Sequence, residues 1–337
     1  MNQSQASKAN PASMHELLSM KHSRPLLACR FDPAGKFLFT GAQDYLIQRW
    51  DLASGKPVPL EGHGSWVRAF AFSKAGDVLI SGGMDGHLLF WRFSEEQPKP
   101  MKDLAAHEGW IRSLAVSPDG QWLASAGNDA IVRVWSVAEG TKVSELKGHQ
   151  RHVYSVGFHP EGKHLVSADL MGVVKVWELE SGKPVRDLDA AVLHKYDGGF
   201  HADIGGIKGM SFSPDGGLLA CAGITEVSNA FAGLGKPIVV TFDWTEGKQK
   251  EILKPRDDFT GTAWRPLHHP AGFWFAVGGG HGGGVIWFWK PGDSSSFHAH
   301  KLSSDGFDVD LHPDGTRLAV AQVDGTARIF SLLPKEG

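Results

Sequence analysis

Residues 107–135 read HEGWIRSLAVSPDGQWLASAGNDAIVRVW. A histidine, His107, stands a few residues before an apolar run over 110–116. A Ser-Pro-Asp-Gly turn follows at 117–120, then a strand of small residues over 122–126, a turn holding Asp129, and Trp135. Pro and Asp suit the first turn, and Gly120 supplies the positive φ that it needs. Apolar runs of strand length on either side make a hairpin. A unit this small cannot bury both of its faces, so it needs neighbours of its own kind.

Such neighbours are present along the chain. Gly35, Gly76, Gly120, Gly162, Gly216, Gly272 and Gly315 each close a similar turn, at spacings of 41, 44, 42, 54, 56 and 43 residues. A repeat of about 40–45 residues is the mark of a propeller blade. Seven turns predict seven blades, two of them carrying insertions. The phrase ends on Trp50, Trp91, Trp135, Trp177 and Trp289, with Phe242 and Phe330 in the weaker copies. A charged segment after it, such as 142–147, supplies a fourth strand. The expectation is an all-β, seven-bladed β-propeller of four-stranded antiparallel blades.

These residues resemble the WD-repeat β-propeller family. Gly62-His63 and Gly148-His149 match the family's Gly-His start, and Trp50-Asp51 its Trp-Asp end. The resemblance runs over roughly residues 14–333 in ordered copies. Little chain remains after residue 331 for a fourth strand in the last blade, while 15–21 stand where a fourth strand precedes the first repeat. The N-terminal strand is therefore expected to complete the last blade and remove the free sheet edges. The division expected is a disordered tail over 1–12, one propeller over 13–333 and a short tail over 334–337.

Composition narrows the class. The 337 residues include 42 glycines, yet 42% are hydrophobic, which fits turn-dense β structure better than disorder. A net charge of −3 makes nucleic acid an unfavoured partner. Cys29 and Cys221 fall in apolar strand stretches and read as buried free thiols, suiting a reducing, cytoplasmic setting. The sequence holds no stretch of membrane-spanning length.

Three copies carry His, Ser or Thr, Asp and Trp at fixed offsets: His22–Thr40–Asp44–Trp50, His63–Ser81–Asp85–Trp91 and His107–Ser125–Asp129–Trp135. Ser, His and Asp invite a hydrolase reading. A catalytic triad is built once, however, whereas this set recurs blade after blade. By hydrogen-bond inventory, Asp can fix one imidazole N–H, the hydroxyl can meet the other ring nitrogen, and the indole N–H can reach the hydroxyl. The resemblance implies that these twelve residues are structural. In the fourth copy Met171 stands where Asp is expected. Blades 5 to 7 keep less of the pattern.

The resemblance also implies which residues border the top mouth of the ring. In the regular blades these are Pro25 and Leu27, Trp66 and Arg68, Trp110 and Arg112, then His152 and Tyr154. Aligned on turn prolines, the weaker copies add Gly206 and Lys208, Asp258 and Thr260, then Asp305 and Phe307, and the pre-Asp positions add Gln43, Met84 and Asn128. Trp66, Arg68, Trp110, Arg112, His152 and Tyr154 are the expected partner anchors. Trp, Tyr and Arg dominate binding hot spots because they desolvate large area and still hydrogen-bond. Two long loops, over 187–206 and 224–236, are expected on the same face. The second ends Gly-Leu-Gly-Lys but is no phosphate loop, since Ala230 and Pro237 stand where Gly and Ser or Thr are needed.

No catalytic residue, metal or cofactor is expected. His268-His269 point to opposite faces of any regular strand. His281, His298 and His300 read as solvated or packed, and Asp305, Asp308 and Asp310 as a solvated cluster. The expected function is a protein- or peptide-binding scaffold, monomeric or a subunit of a hetero-complex, with no membrane partner. The alternative is a lactonase- or hydrolase-like propeller enzyme with a site in the channel.

Overall fold

A computed structural model describes residues 6–229 and 234–335 and builds seven four-stranded antiparallel sheets. Blade 3 runs Ile111–Val116, Trp122–Gly127, Ile131–Ser136 and Lys142–Lys147, each strand hydrogen-bonded to the next. Burial is deepest in the middle of that order. The second and third strands are almost wholly buried, while the outermost alternates toward solvent. The seven turn glycines all take positive φ, between 68° and 88°, where any Cβ would strain the backbone.

Closure is visible in both hydrogen bonds and packing. Strand His15–Lys21 pairs antiparallel with Thr326–Ser331, giving the last blade its fourth strand. Seven apolar clusters then form, one between each pair of adjacent blades. One of them joins Met20, Ala319 and Ile329 of blade 7 to Leu26, Leu38 and Trp50 of blade 1. That cluster seals the ring.

The ends and insertions differ from expectation. Asn10 N–H donates to the Leu332 carbonyl at 2.8 Å, Ala6 and Pro11 are buried, and Pro11–Ser13 forms a 3-10 turn. The tail expected over 1–12 is thus docked on the last blade where it is described, from residue 6 on, because Ala6 covers the Gly315 turn. Residues 1–5 lie outside the described residues, as do the last two residues of the expected tail over 334–337.

Neither long insertion is an irregular loop. The first forms a hairpin, His194–Asp197 with Ala202–Gly205. The second extends the middle hairpin of blade 5 into strands Leu218–Asn229 and Leu234–Asp243, with 230–233 outside the described residues. Thr225 and Val227 supply the β-branched residues that such an extension favours. Lys195 Nζ donates to the Val227 carbonyl at 2.7 Å and joins the two insertions.

Candidate functional site at the channel mouth

The polar sets come first, since they hold the scaffold on which the mouth is built. In blade 2 the Trp91 indole donates to Ser81 Oγ at 2.9 Å. Ser81 Oγ lies 2.8 Å from His63 Nε2, and His63 Nδ1 lies 3.1 Å from Asp85 Oδ2. Blade 3 repeats the chain through Trp135, Ser125, His107 and Asp129 at 2.8, 2.7 and 3.0 Å. Burial opposes ionisation of the Asp85 carboxyl but is outweighed by the His63 hydrogen bond and charge and by two backbone N–H groups, leaving it at about 2. Ser81, Ser125 and Ser167 have no exposed surface, so no substrate carbonyl can reach their hydroxyls.

Two sets depart from expectation. In blade 1, His22 turns its Nε2 to Asp44 at 2.7 Å, and Trp50 reaches Thr40 at 2.9 Å. No bond joins His22 to Thr40 among the described residues, so this set stands in two halves. The fourth set is complete, contrary to the reading at Met171. Asp169, two residues earlier, meets His149 Nδ1 at 2.8 Å, with Ser167 and Trp177 in their usual places. The Asp169 carboxylate also accepts the amides of Met171 and Val173, so it caps the turn from the end of the second strand.

The innermost strands of the blades surround the channel. These are Leu26–Phe31, Val67–Phe72, Ile111–Val116, Val153–Phe158, Gly209–Phe212, Gly261–His269 and Gly306–Leu311. Six of them carry the same irregularity, a register shift that drops one residue out of the ladder: Leu27, Arg68, Arg112, Tyr154, Trp264 and Phe307. A bulge leaves its extra residue unpaired and re-aims the side chain. All six line one central cavity with Lys208, which directly precedes the seventh strand.

Trp264 is the residue that sequence reasoning missed. Counting back from Pro266 gave Asp258 and Thr260, but Pro266 lies inside a strand, opposite Ala276. The turn proline is Pro270, and the same count from it reaches Trp264. Pro266 is tolerated because its strand is the free innermost edge of the sheet, where a missing N–H costs no ladder bond. Thr260 keeps the rim position, its carbonyl accepting the His281 N–H just as Trp66 accepts that of Met84.

Of the expected anchors, Arg68, Arg112 and Tyr154 meet in the cavity. Trp66 and Trp110 sit on the rim, 36% and 41% exposed. His152 turns aside, its Nδ1 2.7 Å from the Asn128 carbonyl. The Arg112 guanidinium lies over the Tyr154 ring at 4.3 Å and the Trp110 ring at 5.0 Å, while Nε donates to Asn128 Oδ1 at 2.6 Å. Arg68 crosses the channel to the Trp264 ring at 5.2 Å, and Lys208 lies 4.5 Å from the Tyr154 ring.

Below this layer Asp308 and Asp310 are buried rather than solvated, which corrects the reading of that cluster. Arg265 bridges both at 3.3 and 3.4 Å, and Arg30 joins Asp310 at 3.1 Å. Their remaining lone pairs accept the Cys29 and Phe31 amides at 3.0 and 2.9 Å. Burial pushes both carboxyls up, against the pull of Arg265.

The histidines singled out earlier are packed apart. His269 stacks on Phe273 and donates to the Gly315 carbonyl at 2.7 Å, while His268 meets Trp274 edge-on. Among the described residues no group of three or more His, Cys, Asp or Glu could hold a metal ion. Cys29 and Cys221 are buried free thiols, and burial pushes both upward. No helix among the described residues is long and apolar enough to cross a membrane.

Seven closed blades around a bulge-lined channel, three of them pinned by complete His–Ser–Asp–Trp chains, define a repeat propeller. The chain belongs to the WD-repeat family: the family model "WD domain, G-beta repeat" matches residues 15–51, 56–92, 98–136, 140–178 and 293–331. Blades 5 and 6, where the pattern is weakest, fall mostly outside those matches. The chain is similar to nuclear distribution protein PAC1 of Arthroderma otae, at 34% identity over 90 residues, covering 26% of this chain and 18% of that protein. It resembles mitotic checkpoint protein bub-3 of Caenorhabditis elegans at 32% over 76 residues, covering 23% and 22%. Nuclear distribution protein nudF 2 of Aspergillus clavatus is 36% identical over 67 residues, covering 20% and 15%. The matches thus span less than a quarter of these relatives' lengths.

Proposed function

We propose that this chain is a non-enzymatic scaffold that receives a protein or peptide on the mouth of its ring, with Trp66, Arg68, Trp110, Arg112, His152 and Tyr154 as anchors. The observation that carries this reading is the pair of half-exposed indoles, Trp66 and Trp110, on adjacent blades, with the Arg112 guanidinium over the second. Exposing two indoles to water is unfavourable, and aromatic and Arg side chains supply most binding energy at interfaces. The central cavity, about 120 Å³, suits a single side chain better than a drug-sized substrate. The polar sets serve as structure in this reading, because their hydroxyls are buried and already engaged. The printed names of two relatives denote a nuclear distribution protein and a mitotic checkpoint protein, while a third relative is named as a probable protein kinase, of which the match covers 8%. A reducing, cytoplasmic setting suits the two free thiols.

Affinity capture with mass spectrometry, comparing wild type with Trp66→Ala/Arg112→Ala, tests the face. Both proteins must first give the same circular dichroism spectrum. Specific proteins recovered by wild type and lost by the double variant support the proposal. An unchanged captured set sinks it.

A further inference from the structure

We infer that the channel mouth is an anion site, in which Arg68, Arg112 and Lys208 together receive one carboxylate or phosphate group. The argument is one of uncompensated charge. The cavity and the layer beneath it hold five cations, Arg30, Arg68, Arg112, Lys208 and Arg265, against two carboxylates, Asp308 and Asp310. Both carboxylates are already occupied by Arg30, Arg265 and backbone amides. Arg68 and Lys208 make no hydrogen bond through their side chains among the described residues, and Arg112 has only the neutral Asn128 oxygen. The nearest counter-charge, Asp308, acts on Arg68 but is already held by Arg265 and backbone amides, and the aromatic rings against the three cations offset only part of the cost of burying them.

The placement of the guanidinium groups supports the same reading. The Arg68 guanidinium lies over the Trp264 ring, and that of Arg112 over the Tyr154 and Trp110 rings. Apart from Arg112 Nε, which Asn128 holds, the N–H donors of both guanidinium groups have no hydrogen-bond partner among the described residues, and such donors grip a carboxylate or phosphate in pairs. Burial, with Arg112 and Arg68 nearby, brings the Lys208 ammonium down to about 7, and burial with Arg68 brings Arg112 down to about 10. An arriving anion would reverse both displacements. The three cations come from blades 2, 3 and 5, so the site exists only in the closed ring.

The inference rests on the scaffold reading only for the carrier of the anion, an acidic or phosphorylated side chain of the partner. The site itself is tested on the purified full chain. Thermal unfolding is followed in low-salt buffer with potassium phosphate, and with KCl of matched ionic strength. Three capped tripeptides, Gly-Glu-Gly, Gly-phosphoserine-Gly and Gly-Gln-Gly, form further arms. Phosphate or at least one anionic peptide should raise the wild-type Tm by about 2 °C over its control. Lys208→Met and Arg68→Gln should lose that rise.

Without anion, Lys208→Met should also melt above wild type, since it removes an unpaired charge. The folded-state value of Lys208 lies below its unfolded one, so the charged form penalises folding most below pH 7. The variant's advantage should therefore shrink as pH rises toward 10. A lower Tm for Lys208→Met in low salt would make the lysine structural and overturn the assignment. So would a phosphate response equal to KCl with both anionic peptides no better than the glutamine peptide, or rises undiminished in both variants. The melting shift is independent of what the chain captures, so a failed anion site and a failed binding face give different results.

Discussion

Ser125 Oγ accepts from the Trp135 indole and lies 2.7 Å from His107 Nε2, while His107 Nδ1 faces Asp129 at 3.0 Å. One hydroxyl thus ties the second strand to the third and to the imidazole. Ser125→Ala orphans a buried indole N–H and a ring nitrogen, and should cost about 1–3 kcal/mol. Chemical denaturation is the check. In blade 2 the Asp85 carboxyl sits below its unfolded value, at about 2. Its contribution is fully present above about pH 4 and is lost as pH falls toward 2. For a half-buried group this is worth about 1 kcal/mol. The stability gap between wild type and Asp85→Asn should narrow over that interval. In blade 4, Asp169→Ala should cost as much as Asp129→Ala, while Met171→Asp should gain nothing, because the acid's place is already filled from the strand.

Blades 2, 3 and 4 carry complete polar chains, whereas blades 5 and 6 carry none among the described residues. Blade 6 replaces the chain with a Trp289 indole bonded to the Lys254 carbonyl at 2.8 Å. Buried networks of this kind rigidify the strands they join. Amide hydrogens of blades 5 and 6 should therefore exchange sooner than those of blades 2 to 4 under native conditions. Equal protection in both groups would refute the link.

The same contrast explains what could be read from the chain. Turn glycines and closing tryptophans are local signals, and they located every blade and the closing strand. The acid of blade 4 escaped because its carboxylate arrives from two residues upstream, a geometric equivalence without a spacing signal. Trp264 escaped because two prolines lie four residues apart in blade 6. Only pairing tells the strand proline from the turn proline. The extended hairpin of blade 5 was read as a loop because Ala230 and the glycines after it lack a strand pattern, although the β-branched residues flanking them were visible. The solvated reading of Asp308 and Asp310 failed because their arginine partners come from blades 1 and 6.

The ring as a whole depends on the pairing of His15–Lys21 with Thr326–Ser331. Arg328 Nε reinforces it through Glu16 at 3.1 Å, and Lys21 Nζ through the Asp324 carbonyl at 2.5 Å. Deleting residues 1–21 would expose the third strand of blade 7 as a free edge and uncover Met20's place in the blade 7–blade 1 cluster. The truncated protein should melt at least several degrees lower and self-associate through the new edge. Differential scanning calorimetry and size-exclusion chromatography are the measurements. A truncated chain that stays monomeric with an unchanged melting temperature would contradict this role.

That seam also has a meaning in time. Its two strands are more than 300 residues apart in sequence, so on a ribosome the first must wait for its partner until the intervening blades have been made. Contacts of such separation slow folding, since chain entropy is lost before pairing compensates for it. During that interval Leu17, Leu18 and Met20 have no sheet to join. A newly made chain is therefore most exposed to misassociation, and most in need of a chaperone's shelter, before blade 7 has emerged.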